Sequence, residues 1–197
     1  MSDDERRRGN LTLARHGETA WSRSGQHTGL TDLDLTELGR RQAEALAARL
    51  RGRSFALVLT SPLRRARETA RLAGFPEAEP CDDLVEWNYG RYEGLTTARI
   101  QASVPGWTLW RDGVPGGETI EQVARRVDRV VARVRGAEGD ALVFAHGHVL
   151  RVLAAAWLGL PPDDGRLFKL DAASLSELGY EHDWPAIDLW NETSHLK

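Results

Sequence analysis

Three short motifs place cations and imidazoles where an α/β chain turns: Arg15-His16-Gly17, Ser61-Pro62 leading into Arg64-Arg65, and His146-Gly147-His148. Each ends an apolar run, Leu11 to Ala14, Phe55 to Thr60 and Ala141 to Ala145, with the look of a buried strand. Such a set suits metal-free cleavage of a phosphate monoester. The phosphoryl group is dianionic, and its transition state spreads charge over the equatorial oxygens, so fixed cations and donors must surround it. A neutral imidazole is a competent nucleophile and gives a phosphohistidine that water later hydrolyses. The departing alkoxide needs a proton from an acid opposite the nucleophile. His16 as nucleophile, Arg15 and Arg65 as clamps and His146 as a second cation meet the first needs; Glu86, in Leu84-Val-Glu-Trp-Asn-Tyr-Gly90, is the candidate acid. Gly17 lets the backbone approach phosphate closely.

These residues need elements to hold them. Thr36 caps a helix running to about Leu50, with Leu38, Ala45, Leu46 and Leu50 near helical spacing. Leu63 to Ala73 reads as helical. Glu118 or Thr119 opens a further helix, with Ile120, Val123, Val127, Val130 or Val131, and Val134 on one face. A last helix spans Val149 to Leu158 and stops at Gly159 and Pro161. Arg166 to Leu170 and Leu175 to Tyr180 read as late strands. Strand–helix alternation of this kind predicts an α/β fold, a three-layer α/β/α sandwich with a mostly parallel central sheet. Ligands in such folds sit beyond the carboxyl ends of the strands, which is where the three motifs fall.

Composition narrows the function classes. The 197 residues carry a formal charge of −3, which gives no global field for nucleic acid. Cys81 is the lone cysteine, so a disulfide framework and a cysteine-rich zinc site are excluded. No apolar run approaches the roughly 18 residues of a membrane span, and no signal-peptide core follows the charged start; a cytoplasmic protein with no membrane partner is expected. The whole chain, 1–197, reads as one domain with residues 1–9 frayed. His146-x-His148 resembles half a metal site, but matching ligands are lacking. Asp32-x-Asp34 fails as a calcium loop, because Glu37 stands at the required glycine and Ala43 at the closing glutamate. No nucleotide-binding loop is present, so neither metal nor cofactor is expected. Arginine outnumbers lysine by 24 to 2. Most of these arginines, including Arg6 to Arg8, Arg40, Arg41, Arg125, Arg126, Arg129 and Arg133, read as solvated faces.

Leu13-Ala-Arg-His-Gly-Glu-Thr19 resembles the signature of the histidine phosphatase superfamily, also called phosphoglycerate-mutase-like. Ser61-Pro-Leu-Arg-Arg-Ala-Arg-Glu-Thr69, Glu86 with Tyr92-Glu-Gly94, and Ala145-His-Gly-His148 follow in the family's order, covering about Leu11 to Leu160. The resemblance implies a phosphoglycerate-mutase-like fold, His16 as the phosphorylated histidine, His146 as the second catalytic histidine and Glu86 as proton donor. It implies Arg15 and Arg65 as phosphate ligands, Arg65 rather than Arg64 because the family's arginine directly precedes alanine. Ser22, Thr28, Gly29, Tyr89 and Arg151 fall at substrate-contact positions.

Within the family, Trp21-Ser-Arg-Ser-Gly-Gln-His-Thr-Gly-Leu-Thr-Asp32, Trp110-Arg-Asp-Gly113 and Phe144-Ala-His-Gly-His148 look similar to broad-specificity acid phosphatases and sedoheptulose-bisphosphatase-type sugar-phosphate phosphatases. The glycolytic mutase usually has Asn where this chain has Ser22. The expected partner is therefore a small phosphorylated metabolite, with inorganic phosphate as product. A cofactor-dependent phosphoglycerate mutase is the alternative, and a non-catalytic phosphate-binding module the remote one. The apolar helix faces leave a homodimer open.

Overall fold

The structure is a computed structural model in which residues 8–197 are described. The expectations of fraying over residues 1–7 and of solvation at Arg6 and Arg7 fall outside the described residues; Arg8 pairs with Asp183 at 3.1 Å. Strand β1 (Leu11–Arg15) is followed by α1 (Ala20–Ser24), α2 (Glu37–Leu50), β2 (Leu57–Thr60), α3 (Arg64–Leu72) and the short β3 (Glu79–Pro80). Next come α4 (Thr97–Ser103), α5 (Leu109–Asp112), α6 (Ile120–Arg135), β4 (Ala141–Ala145) and α7 (Gly147–Trp157), then the hairpin of β5 (Leu175–Glu181) and β6 (Trp184–Glu192). The six strands form one sheet in the order β3-β2-β4-β1-β5-β6.

Register explains why the three motifs meet. β1 and β2 both run parallel to β4, with Arg15 opposite Ala145 and Thr60 opposite Phe144. All three strands therefore end on one edge, and the next residues, His16, Ser61 and His146, step off it together. All five residues of β4 are buried, as the central position of a sheet covered on both faces requires. α6 and α7 pack on one face, contributing Val123, Val127, Val130 and Leu153 to one apolar cluster. α2 and α3 cover the other with Leu46, Leu50, Ala70 and Phe144 of the central strand. The mostly parallel three-layer arrangement stands, with β5 and β6 added antiparallel at one side.

Local signals set several boundaries. The Thr36 hydroxyl accepts the Gly39 N–H at 3.0 Å and opens α2. Thr119 and Gln122 cap α6 reciprocally. The buried stripe of α2 departs from expectation: it is Gly39, Ala43, Leu46 and Leu50, while Leu38 is 44 % exposed and Ala45 only half-buried. The cause is close backbone contact at the first turn. A Cβ on Gly39 would lie 2.1 Å from the Glu18 carbonyl oxygen, and one on Gly17 would lie 2.3 Å from that of Gly39. Gly17 thus makes room for a helix rather than for phosphate alone. Gly39→Ala should cost about 1–3 kcal/mol in urea unfolding, because backbone faces backbone and no flexible side chain can give way.

Residues 166–170 are not a strand. Pro162–Leu167 form a 3₁₀ turn, closed by Arg166 Nη1 on the Asp163 carbonyl at 2.9 Å, and Gly165 packs under the Trp110 ring. β6 had no alternating signal, because its residues lie at the sheet edge and none is fully buried.

Candidate active site

His16 stands just past β1. Its backbone N–H donates to Ala145 O at 3.0 Å and its carbonyl accepts from Ala173 N–H at 3.0 Å, so the end of β4 and the turn leading into β5 fix it. The imidazole Nδ1 lies 2.7 Å from the Gly17 carbonyl. A carbonyl only accepts, so Nδ1 carries the proton and Nε2 the free lone pair. Burial, foremost, with the charges of Arg65 and Arg15, pushes His16 well below its usual 6.5. The ring is neutral and has one unengaged nitrogen.

Arg15 precedes it. Nη1 donates to Leu170 O, while Nε is the one buried side-chain nitrogen or oxygen without a partner among the described residues. An orphaned guanidinium N–H on the cavity that His16 also lines is what an anionic ligand would satisfy. Glu18, next along, turns away from the site and accepts from the Thr36 hydroxyl at 2.8 Å.

Glu86 is 4 % exposed and accepts three backbone N–H groups, from Trp87 at 2.9 Å, His148 at 3.0 Å and Val149 at 2.9 Å. The last two belong to the first turn of α7, so this carboxylate also terminates a helix. Its segment is bolted down from behind. Arg126 donates through Nη1 to the Asp83 and Val85 carbonyls and bidentately to Glu118, which also accepts from Asn88 N–H. Arg126 is 6 % exposed, which corrects the solvated-face expectation. It turns inward because those carbonyls, on a segment with no strand partner there, need donors.

Arg65 and His146 lie immediately behind His16 rather than on the cavity wall. Arg65 is 0 % exposed; its Nη1 donates to Thr31 O at 2.9 Å, Nη2 to Gly29 O at 2.8 Å and Thr28 O at 3.3 Å, and Nε to His146 Nδ1 at 3.1 Å. Glu93 grips the same loop, accepting from Gly29 and Thr31 N–H. Since arginine only donates, His146 Nδ1 is an acceptor, and its Nε2–H donates to Ser61 Oγ at 2.7 Å. Burial and then Arg65 push His146 well below 6.5. The second-cation expectation is therefore corrected: His146 is a neutral ring, its centroid 5.1 Å from that of His16. Gly29 is likewise buried and off the cavity, serving as an acceptor for Arg65.

The cavity in front of His16 has a volume of about 200 Å³. Of the expected residues, Arg15, His16, Ser22, Thr28, Glu86, Tyr89 and Arg151 line it. Gln26, His27 and His148 line it as well. The first two follow Gly25, whose left-handed φ of 74° ends α1 and turns the chain inward; that glycine was the available signal. Arg64, set aside in favour of Arg65, pairs with Asp32 and Asp34. A larger cavity of about 670 Å³ runs along α3 past Arg67 and Arg71, but no imidazole borders it.

His16, His146 and His148 are all pushed well below the usual 6.5, chiefly by burial. The unfolded chain binds these protons as pH falls through that value and the folded chain does not. Their contribution is therefore present above about 6.5 and lost progressively below it. The urea midpoint should be lower at about pH 5 than at about pH 7.5. An unchanged midpoint would contradict three neutral buried imidazoles.

The sequence model of the "Histidine phosphatase superfamily (branch 1)" matches residues 11–193. An acid phosphatase of Mycobacterium tuberculosis is 43 % identical over 190 residues, covering 94 % of this chain and 93 % of that protein. A sedoheptulose 1,7-bisphosphatase of Saccharomyces cerevisiae is 39 % identical over 182 residues, covering 75 % and 67 % respectively. The solved structure of the Rv3214 product of Mycobacterium tuberculosis superposes with a TM-score of 0.89 at 40 % identity, covering 94 % of this chain and 98 % of that one.

Proposed function

The chain belongs to the histidine phosphatase superfamily, and on that premise we propose that it hydrolyses small phosphomonoesters, sugar phosphates foremost, through a phosphohistidine at His16. The observation that carries this reading is the His16 ring: neutral, fixed by Gly17 through Nδ1, with Nε2 unengaged in a cavity that Arg15, with its orphaned Nε–H, also lines. The relatives named acid phosphatase and sedoheptulose 1,7-bisphosphatase support hydrolysis and a sugar-phosphate substrate.

The steps balance with the chain's own groups. Phosphoryl oxygens accept from Arg15, and the Nε2 lone pair attacks phosphorus as the P–O bond to the alcohol breaks. The ring becomes cationic, and its Nδ1–H on the Gly17 carbonyl stabilises that charge. Glu86 hands a proton to the departing alkoxide, then takes one from the water that attacks phosphohistidine; the P–N bond breaks and inorganic phosphate leaves. Arg65 and His146 act from behind, one supplying a fixed charge and holding the Thr28–Thr31 loop, the other packing on His16. The single six-stranded sheet supports reading the chain as one domain.

Rapid quenching with a labelled hexose phosphate tests this. Alkali-stable, acid-labile label on His16 is expected, and turnover without any such label would overturn it. A monophosphoglycerate, given with and without its bisphosphate, separates hydrolase from mutase. Inorganic phosphate as product supports hydrolysis; an isomeric phosphoglycerate without phosphate release overturns it.

A further inference from the structure

Two groups in the cavity have no part in the steps above. The Tyr89 hydroxyl and His148 Nδ1 are 2.6 Å apart. Burial, foremost, raises the phenol well above its usual 10 and lowers the imidazole well below 6.5, so both partners are neutral. The direction of the bond follows from what else is in reach. Among the described residues no other atom accepts from the Tyr89 hydroxyl, so the phenol O–H donates to Nδ1. His148 is thereby held with its proton on Nε2, which has no hydrogen-bond partner among the described residues. A fixed N–H donor is left on the cavity wall.

Its place in the cavity says what that donor meets. The His148 backbone N–H holds Glu86 Oε2, the group that protonates the leaving oxygen. The ring lies among Tyr89, His27 and Trp110, with centroids 5.8, 6.2 and 5.4 Å away, whereas His16 stacks on His146. On the steps proposed above, His148 therefore lies on the side of the cavity that the leaving alcohol would occupy, next to Glu86 rather than stacked on His16.

Resting on the phosphatase reading, we infer that the Tyr89–His148 pair is a specificity device, presenting one N–H to an oxygen acceptor on the leaving alcohol near its phosphorylated carbon. Phosphate esters of polyols and hydroxy acids are favoured; plain alkyl and aryl esters leave the donor unpaired in a buried site. Sites built to bond a polar group discriminate strongly against analogues lacking it.

The test compares kcat/KM for a hexose phosphate, a phosphoglycerate and phenyl phosphate in wild type, Tyr89→Phe, His148→Leu and His148→Gln. The hexose and glycerate arms tell a hydroxyl acceptor from a carboxylate. His148→Leu should lower the ratio of oxygen-bearing ester to phenyl phosphate by about tenfold. His148→Gln, which keeps an N–H donor, should recover part of it, and Tyr89→Phe should fall between, mainly through KM. Equal losses on all esters would overturn the proposal, because they would mean that the pair only positions Glu86. Nitrogen-15 NMR of the histidines gives a readout independent of turnover: wild-type His148 should be protonated at Nε2, and protonation at Nδ1 would overturn it. If wild type turned over no ester, the phosphatase reading would fall alone; calorimetric binding of the same esters to wild type and His148→Leu would still decide the pair.

Discussion

His16→Ala should leave less than about one per cent of wild-type turnover on a hexose phosphate, with no phosphorylated protein on quenching. No other ring in the site can replace the nucleophile. His146 has both nitrogens engaged, by Arg65 and Ser61. His148 offers a protonated Nε2, and His27 packs on Tyr89 with its Nε2 against the Thr97 hydroxyl. The fold should survive, because the imidazole makes only the bond to its neighbour Gly17. A thermal midpoint near that of wild type, measured beside phosphate release, keeps the result interpretable. Residual turnover at one per cent or above in the folded variant would argue against covalent catalysis at this position.

Arg65→Leu should damage stability and activity together. The guanidinium serves the Thr28, Gly29 and Thr31 carbonyls and His146 Nδ1 from a fully buried position, so its removal leaves several acceptors without donors at once. A loss of about 2–5 kcal/mol is expected from denaturant unfolding. The Thr28–Thr31 loop loses its arginine anchor, keeping its Glu93 bonds and the Thr28 hydroxyl on the Gln26 carbonyl, and turnover should fall about a hundredfold or more. A second readout separates chemistry from loosened packing. Arg65 is the largest charge pushing both His16 and His146 down, so both rings rise in the variant. The acid limb of kcat/KM should move to higher pH than in wild type. An unmoved limb in a folded variant would show that Arg65 has only a scaffolding part. Arg65→Lys should rescue little, since one ammonium cannot span acceptors arranged for a planar fork.

Much of this was legible along the chain because the signals are local. Apolar runs ending in polar clusters marked β1, β2 and β4, and caps at Thr36 and Thr119 marked α2 and α6. Where partners are distant, the reading failed. Arg126 sits one helical position from solvent-facing neighbours and nothing in its surroundings on α6 announces the Asp83 and Val85 carbonyls. The 166–170 strand failed because a short apolar run cannot signal that Gly165 must lie under Trp110. Edge strand β6 gave no alternation, since one edge has little to bury.

Sequence by itself determined the constellation: which residues, in what order, at the ends of which strands, and hence the expectation of metal-free phosphoryl transfer at His16. It also set the arginine excess in proportion, since only a few of the 24 arginines fall at motif positions. Tertiary structure decided the states of those residues. It made Nε2 the free nitrogen of His16, left Arg15 Nε without a partner, turned the expected cation His146 into a neutral ring and drew Arg65 behind the wall. The reason is physical: side-chain identity and order are properties of one chain segment. Charge, tautomer and exposure are set by groups such as Arg65 and His146, 81 positions apart, that only folding brings within 3.1 Å.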